Sequence, residues 1–403
     1  MKWLNRERLT FYPRLIVAIY VVLGVAVFLV PGIVGHLDFM DHPQGARHSI
    51  DFSNFWLAAS MTLGGKSVYD APGFMAAEEK VFGIKVFPWF YPPTFLLILL
   101  PLAFLPYFTA LMVWVAATMT GYLWAVRRIA PHPLTTWLAL AFPGAFENFR
   151  YGQNGFLSAA LIGGGLLLLE SSPIIAGILL GMVSYKPHLM ILIAVALAAG
   201  RRWKAMGAGA ASAAALALAS VLVLGRPAWT AFFQNSPSIM KLMEQGALPL
   251  NKMVTVFSVL YSSGAGFQVA LLVHWAVMLL VMAAVFWVWH RGRPLAVRAS
   301  VLVLGILLFT PYAFSYDLCI MAIPLASLGW QGYQKGWLPG EQALLALGWS
   351  LPFLCWILTV PPLANVKYLR LVVPVILGAL IILAMTKRKG ESVLTPANYY
   401  SVQ

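Results

Sequence analysis

Charge is what this chain has least of. Only 10% of its 403 residues are charged, against about 25% in an ordinary soluble domain. Hydrophobic residues make up 61% and the mean hydropathy is +0.82. This balance excludes a large soluble core and fits a polytopic membrane protein. Cysteine is almost absent. Cys319 and Cys355 both lie in apolar runs and read as small buried hydrophobes, not as a disulfide framework. The seven histidines are dispersed, and no His/Cys/Glu cluster has metal-ligand spacing. There is no G-x-S-x-G nucleophile elbow. The stretch LGGKSVYD, residues 63–70, lacks the Walker spacing and reads as a turn before a polar strand or short helix. The alternating segments of an outer-membrane barrel are also missing.

What is present is a series of apolar runs, each close to the length that crosses a bilayer as a helix. The first runs from Leu15 to Gly35. Others lie at 134–149, 156–170, 173–185, 187–200, 205–224, 268–289, 299–313, 317–330, 342–359 and 366–386. The proline-cut stretch FYPPTFLLILLPLAFLP, residues 90–106, reads as a half-helix or short span. With the run 107–126 it makes one net crossing. The expectation is an all-α bundle of about 12 transmembrane helices, forming one membrane-embedded domain over residues 1–403. The basic N-terminus is too far from a signal-peptide pattern to be read as cleaved, so residues 1–14 are expected in the cytoplasm.

The net charge of +14 sits on loop ends and both tails, where basic residues report orientation. Arg127/Arg128, Arg201/Arg202/Lys204, Arg291/Arg293/Arg298, Lys335 and Lys387/Arg388/Lys389 all fall on the cytoplasmic side, as does the tail 387–403. The loop 36–91, which holds six of the thirteen acids, then faces outward. No basic–aromatic stripe suggests nucleic acid. The Ala-rich stretch 207–220 has small faces suited to close helix packing.

The polar breaks collect on the outer side. Asp51, in HSIDFSNFWLAAS (48–60), is either a helix cap or a general base. Beside it, Phe52, Phe55 and Trp56 are interfacial anchors or a sugar platform. In FRYGQNGF (149–156), Gln153 and Asn154 suit sugar hydroxyls and Arg150 a phosphate, or they cap and snorkel. In SYKPHL (184–189), Lys186 interrupts an apolar run. An ionisable residue there is a functional candidate, either holding a phosphate at the anion site that the broken helix makes or snorkelling from a short external loop. TPYAFSYDLC (310–319) inserts Asp317, which orients a base, binds hydroxyls or caps a helix. Glu147 and Glu170 are isolated acids that could carry protons.

Taken in order, DFSNFWLAA, LGGKSVYD, FYPPTFLLILLPLAFLP, YGQNG, AGILLGMVSYKP with RRWK downstream, and TPYAFSYDL resemble glycosyltransferase family 87. The likeness covers residues 45–320. It implies a GT-C helical bundle with a large first extracytoplasmic loop (36–91) carrying amphipathic helices, in a bacterial inner (plasma) membrane. It implies an inverting enzyme that takes a sugar, commonly mannose, from a polyprenyl-phosphate donor to a glycolipid or glycan acceptor. No cofactor or metal is implied. Asp51 matches the family's catalytic aspartate. Lys186, Arg150 and His188 are then expected at the donor phosphate, and Gln153, Asn154, Trp56, Tyr91, Asn251, Tyr316 and Asp317 around the sugar and acceptor. Some relatives carry a histidine motif where this chain has Ser315-Tyr316-Asp317, so no histidine is assigned there. A transporter of lipid-linked sugar is the alternative, but the paired repeats such a protein would show are not visible. A non-catalytic scaffold does not explain polar breaks confined to one side.

Overall fold

The structure, a computed structural model, describes residues 6–24, 50–83 and 87–387. The end of the expected first span and the tail beyond Lys387 lie outside those residues. Among the described residues the chain is all-helical and has no strand. A single antiparallel bridge joins Met253 and Phe314.

Proline sets the helix lengths. Its fixed φ suits the first helical turn, where its missing N–H leaves no bond unmade, and in a helix interior it costs a hydrogen bond, as at Pro13 within Arg6–Gly24 and Pro352 within Glu341–Ile357. After α1 (Arg6–Gly24) and α2 (Ile50–Leu63), prolines in the first turn open α3 (Ala71–Phe82), α4 (Pro93–Leu99), α6 (Pro133–Leu140), α7 (Pro143–Tyr151), α9 (Pro173–Met182) and α10 (Pro187–Ala199). Between them lie α5 (Tyr107–Ile129) and α8 (Gly155–Leu168). The stretch 90–106 is therefore a seven-residue helix running into a 3-10 turn, Leu100–Phe104. The expected span 134–149 is two short helices broken at Ala141 and Phe142. Later come α11 (Trp203–Leu224), α12 (Arg226–Asn235), α13 (Ser238–Glu244), α14 (Val256–Ser262), α15 (Phe267–His290), α16 (Leu295–Phe309), α17 (Ala322–Lys335), α18 (Glu341–Ile357) and α19 (Val372–Thr386).

Four described helical stretches are long and apolar enough to cross a membrane: Tyr107–Ile129, Trp203–Leu224, Phe267–His290 and Tyr368–Thr386. Shorter apolar helices of 10–17 residues supply the rest of the apolar bundle. Leu218 and Leu222 on α11, and Leu272, Leu279 and Leu280 on α15, are exposed. In water such faces would be a liability. Against lipid they are the ordinary outside of a membrane protein.

Three helices fix the site. α8 runs from Asn154 to the turn holding Glu170, α10 from Lys186 to the turn holding Arg202, and α16 from Arg298 in its first turn toward Ser315 and Asp317. At one end, Glu170 Oε1 accepts from Arg202 at 2.5 Å and from Arg298 at 2.7 Å. The other ends meet in the polar cluster described next. The Ala-rich α11 lies close against α9, where a Cβ on Gly177 would come within 2.8 Å of Ala208 Cβ.

Candidate functional site

The first loop is anchored by aromatic packing. Phe55 of α2 meets Tyr91 at 5.6 Å, Phe95 at 5.1 Å and Trp114 at 6.2 Å between ring centroids, with near-perpendicular planes. That edge-to-face geometry suits the ring quadrupoles. Trp56 belongs to this scaffold rather than to the polar centre. Its indole donates to the Leu105 carbonyl at 3.0 Å, and its ring packs edge-on to Phe82 and Tyr107.

Asp51, in the first turn of α2, faces the break between α7 and α8. That break needs Gly152, whose φ is +61°. A Cβ there would come within 2.6 Å of Phe52 Cβ. The close approach brings Gln153 to Asp51, and the Gln153 amide donates to Asp51 Oδ2 at 2.9 Å. Gln153 Oε1 in turn accepts from the Asn154 backbone at 3.1 Å. Asn154 Nδ2 donates to the Tyr91 hydroxyl at 2.9 Å, and the Asn154 carbonyl accepts from the Tyr185 hydroxyl at 3.2 Å. Burial pushes the Asp51 carboxyl above its ordinary pKa, while the Gln153 hydrogen bond and the charge of Lys252 pull it down.

Lys186 is only 4% exposed and pairs with Asp317 Oδ1 at 2.6 Å. Its ammonium lies 5.8 Å from the centre of the Tyr316 ring. Asp317 Oδ2 accepts from the Phe314 backbone at 3.0 Å, so this carboxylate caps the 3-10 turn Ser315–Met321 and also neutralises the lysine. His188 sits beside this pair, within the field of both charges, with its ring 6.1 Å from Tyr312.

Arg150 is exposed, with its guanidinium 5.2 Å from the Tyr151 ring centre. Asn251 is also exposed, at a cleft with a cavity of about 40 Å³ shared with Glu147, Tyr151, Lys252 and Ser315. Five stretches far apart in sequence are thus gathered: Asp51, Tyr91, Gln153 with Asn154, Lys186, and Tyr316 with Asp317. Arg150 and Asn251 lie toward the cleft side of this cluster.

Three further participants are not assigned to the site by sequence reasoning. Glu147 Oε1 accepts from the Ser315 hydroxyl at 2.8 Å. Lys252, exposed and 5.2 Å over the Tyr151 ring, acts electrostatically on both Asp51 and Glu147. Tyr185 bonds Ser158 at 2.7 Å and stacks on Phe95 at 4.9 Å, tying the Asn154 turn to α4. A usable signal exists for Glu147, since an acid inside an apolar run is a functional candidate. For Lys252 there is none beyond its place in a polar stretch between two apolar runs.

The sequence profile of Glycosyltransferase family 87 matches residues 89–311, more than half of the chain. Asp51 and Asp317 lie outside the matched stretch. They reach it through Gln153 and Lys186, both inside it. No curated protein and no solved structure matches the chain.

Proposed function

The chain belongs to glycosyltransferase family 87, and on that premise we propose that it moves a sugar from a polyprenyl-phosphate donor to a hydroxyl of a glycolipid or glycan, with inversion. Mannose is the sugar the family resemblance favours. The observation that carries the reading is the meeting of a half-buried carboxylate, Asp51, with two amides and a buried lysine around one polar centre.

The acceptor oxygen attacks the anomeric carbon on the face opposite the phosphate, and the bond from that carbon to the phosphate oxygen breaks. Asp51 takes the hydroxyl proton, a step that contributes about 10²–10⁴-fold when a base is well placed. The raised pKa of Asp51 makes it a stronger base than an exposed aspartate. Lys186 has three N–H donors, one given to Asp317. The others are assigned to the departing phosphate, together with His188 beside the pair and with Arg150 acting from the cleft side. Charge developing on that phosphate is stabilised by donors already in place. No metal is needed in this scheme.

The proposed setting is a bacterial inner membrane, crossed about 12 times, with both termini cytoplasmic and the site facing outward. It is supported by the polar ties, which join only ends assigned to one side. Glu170 with Arg202 and Arg298, Lys387 with Glu341, and Arg293 with the Met385 carbonyl are all cytoplasmic in this scheme. Asp51 with Gln153 and Lys186 with Asp317 are all outer. The helices between these layers, α10, α8 and α16, have 13, 14 and 15 residues. At about 1.5 Å per residue they span roughly 20–23 Å, less than the ~30 Å hydrocarbon core. The reacting centre is therefore recessed, within reach of a donor whose tail stays in lipid.

The test is transfer from synthetic polyprenyl-phosphate mannose and glucose to octyl glycosides by the reconstituted full chain, comparing the wild type with Asp51→Asn. Turnover by the wild type and its loss in the variant is the expected result. Undiminished transfer by the variant removes Asp51 as the base, and failure of both donors with the wild type removes the reading.

A further inference from the structure

Glu147 is a carboxylate for which the scheme above has no use. Its Oε1 accepts from Ser315 at 2.8 Å, but its buried Oε2 has no hydrogen-bond partner among the described residues. An unsatisfied acceptor of this kind carries a desolvation penalty that a bound donor group relieves. Glu147 also lines a cleft between α7, the 251–254 segment, α18 and the start of α19, whose enclosed part measures about 40 Å³ and whose rim, Asn251, Lys252 and Trp356, is exposed, so that a ring would sit on the rim with one hydroxyl reaching in. The other walls include two aromatic rings, Tyr151 and Trp356, and the polar side chains of Asn251, Thr359 and Arg370. Aromatic faces with a few converging polar groups suit a sugar ring, which has an apolar face and a rim of hydroxyl donors.

The turn at 315–317 gives this cleft its place. Ser315 bonds Glu147 on one side, and two residues on Asp317 bonds Lys186 on the other. Asp51 lies within the electrostatic field of Glu147, and both feel Lys252. The Lys186 end offers ammonium N–H groups to an anionic donor. The cleft, where Glu147 stands with Lys252 and Arg370, offers a hydroxyl-rimmed ring both an acceptor and donors.

We infer that the Glu147 cleft is the acceptor site and takes a glycan ring, with Glu147 accepting a hydrogen bond from a hydroxyl next to the one that reacts at Asp51. Glu147 is thus a positioning and specificity residue, and the acceptor approaches from the side of α18 and α19. This rests on the glycosyltransferase reading for the identity of the reaction, but not for the binding itself.

Two measurements on one preparation of reconstituted full chain separate these layers. The first is photo-crosslinking with a diazirine-bearing octyl mannoside, competed by plain octyl mannoside and mapped by peptide mass. Label is expected between Cys355 and Val373, and its loss is expected in both Glu147→Gln and Thr359→Trp, the latter filling the cleft without deleting a carboxylate. Label confined to residues 50–110, or unchanged by both variants, overturns the inference whether or not the preparation transfers sugar. The second is transfer kinetics with octyl mannosides lacking one hydroxyl each. Glu147→Gln should raise the acceptor KM tenfold or more and leave the donor KM within twofold. One deoxy acceptor should be penalised on the wild type but not on Glu147→Gln. A rise in donor KM instead, or equal penalties on both proteins, would count against Glu147 as the acceptor's partner. Crosslinking in the cleft with no transfer from any donor keeps the binding site and removes the glycosyltransferase chemistry, so the two failures differ.

Discussion

Gln153 donates to the Asp51 carboxylate at 2.9 Å across 102 residues of chain. This bond connects the start of α2 to the helix break that holds the polar centre, and it makes Asp51 depend on its neighbours for charge as well as position.

Asp51→Asn should reduce transfer by about 10²–10⁴-fold, the range for a lost general base, without unfolding the protein. The folded-state pKa of Asp51 is raised by burial. Its ionised form is therefore disfavoured by the fold, and stability is lost as pH rises through that pKa. The asparagine variant escapes this loss. Its thermal midpoint in detergent, relative to wild type, should hold level in acid and improve toward alkaline pH. A relative midpoint that instead falls with rising pH would contradict the direction of the shift.

The pH–rate profile follows from the same group. A base is useful only when deprotonated, so the acid limb should lie above that of an exposed aspartate. Removing the Gln153 bond removes a pKa-lowering contact. Gln153→Leu should therefore move the acid limb to still higher pH, and a downward move would show that Asp51 does not govern the limb.

Lys186 and Asp317 form a buried pair. Lys186→Met or Asp317→Asn alone leaves one buried group unmatched and should cost about 3–5 kcal/mol. The double change Lys186→Met with Asp317→Leu should recover most of that in thermal unfolding while transfer stays lost. Recovery of transfer in the double variant would show the pair to be structural only.

Gly152→Ala places a Cβ at φ +61°, within 2.6 Å of Phe52 Cβ. The backbone strain alone costs about 1–3 kcal/mol, and relief of the clash must push α2 away from Gln153. Both a lower unfolding midpoint and a large loss of kcat are expected. Full activity would mean that the Asp51–Gln153 contact tolerates displacement.

Topology can be read chemically. Both native cysteines are buried, so Lys66→Cys offers a nearly clean background. An impermeant maleimide should label it from outside intact cells. Labelling only after lysis would invert the proposed orientation.

Much of the fold class is legible in the amino-acid pattern alone. Scarce charge and repeated apolar runs dictate a membrane bundle, and prolines mark where its helices break. The polar breaks at Gln153, Lys186 and Asp317 are recognisable because each interrupts an apolar pattern, and Asp51 because it stands directly before an aromatic, apolar helix in the polar loop 36–91. Their pairing is not, because the partners lie 102 and 131 residues apart and no local periodicity encodes that. Trp56 shows the opposite failure. An aromatic beside a candidate base suggests a sugar platform, but helical geometry turns its ring toward Phe82 and Tyr107. Glu147 stands out in the chain only as an isolated acid, since its bond to Ser315 spans 168 residues. The apolar run 134–149 reads as a single span, yet Pro143 divides it.

The ion pair between Lys186 and Asp317 also has a history in time. Synthesis runs from the N-terminus, and at about 5–20 residues per second the 131 residues between them take roughly 7–26 seconds to appear. During that interval Lys186 has no counter-ion. It must wait in water or among lipid headgroups while α10, which begins beside it, is already available to insert. The polar centre is therefore complete only once residue 317 has been made, and a chain released before it would hold an unpaired lysine where the finished protein has an ion pair.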